Sequence, residues 1–163
     1  MSELLVATRS GHKMVEIRRI LAGRTEVRVL DLGAAGIPWT EEEEGLEPYD
    51  TFEANARSKA AFFREKSGRP TVADDSGLEV DALDGAPGVR SKRFAPDGDL
   101  EGEARDRANN EHLLRLLGDR PLAARTARYV CVAVLDRGDG GTAVFRGEAP
   151  GLILGRPRGR GGF

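Results

Sequence analysis

Two rhythms of hydrophobic and polar positions run along this chain and divide it into strands and helices. Glu3 to Ala7, mostly apolar, reads as a buried first strand. After a polar stretch, Met14, Ile17 and Leu21 recur at helical spacing, which predicts a helix to about Ala22 with Gly23 as its stop. Val27 to Leu32 reads as a second strand, and Gly33 to Tyr49 as a loop. Asp50 suits an N-cap, with Glu53 as its capping-box partner, and the helix from Thr51 to Lys66 buries Phe52, Ala56, Ala60 and Phe63. Gly68 and Pro70 end it. Thr71-Val72-Ala73 is a short strand that stops at Ser76-Gly77, and Leu78, Val80 and Ala82 begin a second alternation. A further helix covers Glu103 to Leu117, with Gly118 as its stop. Arg125 to Asp136 is a long strand that Gly138 to Gly141 turns into Thr142 to Gly147, and Ala149 to Leu154 is one more strand. Helices interleaved with strands and followed by a hairpin predict a mixed sheet with helices packed on it, α/β or α+β. No repeat or linker interrupts residues 1–163, so a single domain is expected.

Composition narrows the functional classes. At 163 residues the chain is long enough for one sizeable core. A net charge of −2 argues against general nucleic-acid binding, which needs a basic surface. No apolar run approaches the ~20 residues of a membrane-spanning helix. The lone Cys131 rules out an internal disulfide framework, reads as a buried thiol within an apolar run, and fits a reducing cytoplasm.

Four stretches carry candidate chemistry. Thr8-Arg9-Ser10-Gly11-His12-Lys13 is a polar turn ahead of a helix. Such a turn offers backbone N–H groups and the positive end of the helix dipole to an anion, though an ordinary capped helix would look similar. It lacks the Walker A spacing. Glu41 to Glu44 reads as a solvated charge run, of which Glu44, beside Gly45, is the member best placed to fold back onto a metal. Asp74-Asp75-Ser76-Gly77 reads as an acidic turn closing a buried strand. Such a pair either caps the turn or holds a cation, because close carboxylates resist joint ionisation unless a cation compensates them. Hard oxygen ligands suit Mg2+, which shares its coordination with substrate phosphates. Asp84 to Ser91 holds a rigid Gly-Ala-Pro-Gly turn, either a connection or a substrate-facing loop. Lys59 is expected on the solvated side of its helix.

In this order, L-V-A-T-R-S-G-H-K (5–13), D-T-F-E-A-N-A-R-S-K-A (50–60), A-D-D-S-G-L-E-V-D-A-L-D-G-A-P-G-V (73–89) and P-R-G-R-G-G-F (157–163) resemble the inosine triphosphate pyrophosphatase family. The resemblance implies an elongated α/β protein with two lobes around a cleft, usually a homodimer. It implies Mg2+-dependent hydrolysis of deaminated purine nucleoside triphosphates (ITP, dITP, XTP) to the monophosphate and pyrophosphate. Carried over, Asp75 is the proton acceptor and, with Asp74 and Glu44, a metal ligand. Thr8, Arg9, Ser10, Gly11, His12 and Lys13 bind the phosphates, and Ser76 and Phe163 contact the substrate. Two departures stand out: Ser10 replaces the family's usual Asn, and the family's later recognition motifs lie beyond Phe163, so the domain is expected to be C-terminally incomplete. A pyrophosphatase for pyrimidine or other modified nucleotides, and a non-catalytic nucleotide- or metal-binding fragment, stay open as alternatives.

Overall fold

Stretches rich in leucine and valine supply the strands of one mixed sheet. The structure, a computed structural model, describes residues 2–23, 26–96 and 98–158. Its strands are β1 (Ser2–Val6), β2 (Val27–Leu30), β3 (Thr71–Val80), β4 (Thr126–Asp136) and β5 (Thr142–Leu152). Among the described residues they lie in the order β2-β1-β3-β4-β5. β1 pairs in parallel with β2, Leu5 opposite Leu30, and with β3, Leu5 opposite Thr71. Parallel neighbours need crossovers, and α1 (Gly11–Leu21) and α2 (Phe52–Ser67) provide them. A third helix, α3 (Gly102–Leu117), follows later in the chain. Of the two classes that the interleaving leaves open, the α/β class that the resemblance implies is the one observed.

The chain forms two compact units, the first from residues up to Asp75 and Val132–Arg146, the second from Ser76–Cys131 and Gly147 onward. The first is centred on Leu5 of β1 and Leu30 of β2, with Ala7 and Leu32 just beyond those strands, which meet Ala56, Ala60 and Phe63 of α2. This is the stripe that the spacing of α2 predicts. The second packs Leu78 and Val80 of β3 against Leu113 and Leu117 of α3. Buried Asn109 of α3 accepts from the Ala95 N–H at 2.8 Å and donates to the Ser91 and Lys92 carbonyls, which holds the 3-10 turn Gly88–Arg93.

Several elements differ from the expectation, each for a physical reason. β3 runs unbroken through Asp74-Asp75-Ser76-Gly77, so the acidic pair lies within a strand and not in a turn. Partners on α1 and α2 hold those carboxylates, so they need not sit at a strand end. The two segments expected after Gly141 are one strand, β5. Cys131 is exposed, not buried: on β4 Val130, Val132 and Val134 point inward, which turns Cys131 outward. The N-cap of α2 is Thr51, not Asp50, its side chain accepting from the Ala54 N–H. The acidic run forms a 3-10 turn, Glu41–Gly45, with a capping box between Thr40 and Glu43.

Candidate active site

The polar turn after β1 is shorter than expected, because Ser10 is itself the N-cap of α1. The Thr8 hydroxyl accepts from the Ser10 N–H at 3.1 Å, and the Ser10 hydroxyl from the Lys13 N–H at 3.4 Å. Gly11, His12 and Lys13 therefore belong to the first helical turn, where backbone N–H groups lack partners within the helix. A Cβ added at Gly11 would meet nothing within 4 Å, and His12 is exposed, so that end of α1 has open space at Gly11.

Lys13 reaches 61 residues along the sequence to Asp74, its Nζ lying 2.5 Å from Oδ2. Successive side chains of a strand point to opposite faces, so Asp74 and Asp75 diverge. Asp74 meets Lys13 of α1, whereas Asp75, buried at 7 % exposure, accepts from Asn55 Nδ2 of α2 at 2.9 Å. Asn55 is fully buried, and its amide also bonds the backbone of Tyr49, accepting at 2.9 Å and donating at 3.1 Å. One turn further on, Lys59 donates to the Asp74 carbonyl and to the Glu47 carboxylate. Lys59 is therefore seated against β3 and not on a solvated face. Asn55 and Lys59 are not among the residues that the sequence leads one to expect in the site. Their four-residue spacing puts them on one face of α2, and Asn55 interrupts an apolar stripe; that was the available signal.

Other predicted residues are placed differently. Arg9 donates to both carboxylate oxygens of Glu43, at 2.9 and 2.5 Å, and to the Ile37 and Pro38 carbonyls. The Glu43 hydrogen bonds hold its guanidinium above the usual arginine range. Its donors tie down the 37–43 segment. Glu42 pairs with Lys66 of α2, whose hydrogen bond lowers its pKa. Glu44 is exposed on the 3-10 turn. Among the described residues no three His, Cys, Asp or Glu side chains converge as a metal-holding group, so the expected trio of Glu44, Asp74 and Asp75 is not assembled. Ser76 follows Asp75 on β3 and is half-buried. Phe163 lies outside the described residues.

The sequence profile of the Ham1 family matches residues 4–163. The chain belongs to the Ham1 family. Among Ham1 relatives, a dITP/XTP pyrophosphatase of Frankia alni is 42 % identical over 160 residues, covering 98 % of this chain and 76 % of that protein. One from Halalkalibacterium halodurans is 42 % identical, covering 100 % and 79 %. A solved HAM1 protein from Coxiella burnetii superposes with a TM-score of 0.81 at 30 % identity, covering 100 % of this chain and 78 % of its own. The dITP/XTP pyrophosphatase structure from Mycobacterium abscessus gives 0.78 at 37 % identity, covering 99 % and 79 %. The segments around Lys13, Asn55 and Asp75, which lie within the matched residues, meet in space.

Proposed function

We propose that this chain hydrolyses deaminated purine nucleoside triphosphates, of the ITP, dITP and XTP type, to the monophosphate and pyrophosphate. The observation that carries the reading is the contact of Lys13, at the N-terminus of α1, with Asp74, next to buried Asp75. An anion-binding helix end and a pair of acidic residues in contact are the two parts that phosphate-anhydride hydrolysis needs. The names of the relatives supply the substrate class.

The roles follow from charge and placement. N–H groups at the start of α1, with Thr8, Ser10, Gly11, His12 and the Lys13 ammonium, bind the triphosphate. Ser76 donates to a substrate oxygen. Asp75 orients a water and accepts its proton as the water oxygen bonds to the α-phosphorus. The bond to the bridging oxygen breaks, and pyrophosphate leaves toward Lys13. Catalysis then rests on positioning and charge stabilisation.

A magnesium ion fits this donor set in one way. Mg2+ is usually held by one or two carboxylates together with substrate phosphates rather than by an all-protein cage. Asp75 is the buried carboxylate that would hold the ion in this mode, with substrate phosphates beside it, whereas Asp74 is paired with Lys13 and Glu44 is exposed on the 3-10 turn. When bound, the ion neutralises charge on the phosphate oxygens. A homodimer in a reducing cytoplasm is part of the same proposal. Among the described residues no helix is long and apolar enough to cross a membrane.

Pyrophosphate release from a panel of ITP, dITP, XTP, ATP, GTP, CTP and UTP with Mg2+ tests the reading. Preference for the deaminated purines, with Asp75→Asn reducing kcat by ~100-fold or more, is the expected outcome. Equal turnover of the whole panel, or an Asp75→Asn protein with normal kcat, would sink it.

A further inference from the structure

We infer that Asn55 is a positioning residue for the Asp75 carboxylate, an inference that rests on Asp75 being the proton acceptor. Asn55 lies on the buried face of α2 between Phe52 and Ala56, where an apolar side chain would pack without a polar group to satisfy. Asparagine is also a weak helix former. Its presence there calls for a polar reason, and the hydrogen bonds provide one. Oδ1 accepts from the Tyr49 N–H, and Nδ2 donates to the Tyr49 carbonyl and to Asp75 Oδ2. A flipped amide would set oxygen against two acceptors and nitrogen against a donor. The Tyr49 backbone therefore dictates which end of the amide meets Asp75.

Two consequences follow. Anchoring Oδ2 sets the plane of the Asp75 carboxylate, and hence the direction of its other oxygen, without bringing in a cation. The neighbouring carboxylate is held differently, by the Lys13 ammonium. The same amide also ties β3 to the segment ending at Tyr49, five residues after Glu44. Asn55 thus links the strand that carries Asp75 to the segment that carries Glu44.

Asn55→Leu keeps the side-chain size, suits the apolar stripe and removes the donor. Its kcat for ITP with Mg2+ is expected to fall by at least ~10-fold, the scale of a misplaced reacting group, with KM within ~3-fold of the parent. Because Asn55 acts through Asp75, the double variant with Asp75→Asn should be no slower than Asp75→Asn alone. An unchanged kcat in folded Asn55→Leu, or a full additional loss in the double variant, overturns the inference. If Asn55→Leu does not fold, the side-chain amide signals of Asn55 decide by NMR. Their exchange with water is expected to be slow in the parent and faster in Asp75→Ala; identical exchange overturns the inference. An active Asp75→Asn enzyme would refute the proton-acceptor reading instead, and the amide signals would still report whether Asn55 holds Asp75.

Discussion

At the scale of single residues, two cations of the first motif are put to different uses. Lys13 meets Asp74 across a 2.5 Å gap with its side chain 26 % exposed, so an incoming phosphate can share the ammonium with the carboxylate. Hydrogen bonds to charged groups contribute about 1.5–3 kcal/mol. Lys13→Ala should therefore raise KM for the triphosphate by about tenfold or more, read from initial rates of pyrophosphate release. An unchanged KM would remove Lys13 from the phosphate site. Arg9 makes four hydrogen bonds to the 37–43 segment and lies over the Phe63 ring at 5.9 Å. Its loss should appear as lower stability, about 1 kcal/mol for a guanidinium that is 36 % exposed, with KM within ~3-fold of the parent. Urea denaturation beside the same kinetic assay separates the two roles. A large KM effect with normal stability would return Arg9 to the substrate-binding set.

At the scale of elements, periodic apolar positions were legible and polar partnerships were not. The stripe Phe52, Ala56, Ala60 and Phe63 predicts the buried face of α2, and three of these residues join the core as read. Phe63→Ala should consequently cost about 3–5 kcal/mol in urea denaturation, because the ring is 3 % exposed and its loss leaves a cavity. A cost below about 1 kcal/mol would mean that α2 does not anchor this core. By contrast, Asp74 to Gly77 looked like a strand end because a lone sequence shows carboxylates without their partners. Lys13 and Asn55 supply those partners from 61 and 20 residues away, and Lys59, 15 residues away, donates to the Asp74 backbone carbonyl. The strand continues because helices on both sides meet the charge. The capping box of Thr40 and Glu43 was legible in the S/T-x-x-E spacing, and the acidic run around it masked the signal. Cys131 departs from its expected burial for a related reason: an apolar run shows strand character but not which alternate positions face the core.

At the scale of the whole molecule, acidic and basic residues nearly balance, with 27 Asp and Glu against 25 Lys and Arg. Acid removes that balance and leaves a strongly cationic, self-repelling chain. Specific carboxylates add a second acid sensitivity. Glu3 is held below its ordinary pKa of 4.5 chiefly by a hydrogen bond from Arg69, and Glu42 by one from Lys66. Asp31 is lowered from 3.8 first by the Ala34 N–H and then by Arg18. Each has a lower pKa folded than unfolded, so the unfolded chain binds protons more readily in acid. The stabilisation is complete above the unfolded pKa, near 4, and is lost as pH falls through the folded one. Thermal midpoints should thus be nearly constant from about pH 8 to 6 and fall below about pH 5, and Asp31→Asn and Glu42→Gln should each show a shallower fall. Salt tells the two apart. Glu42 is exposed and held chiefly by the Lys66 ammonium, so 1 M NaCl, with a Debye length of about 3 Å, should remove most of the difference between Glu42→Gln and the parent. Asp31 accepts first from a backbone N–H, an interaction that ions screen weakly, so Asp31→Ala, which removes that acceptor, should remain less stable than the parent at high salt and neutral pH. If both differences disappear in salt, the turn after β2 is held by its ion pair with Arg18 and not by the backbone bond.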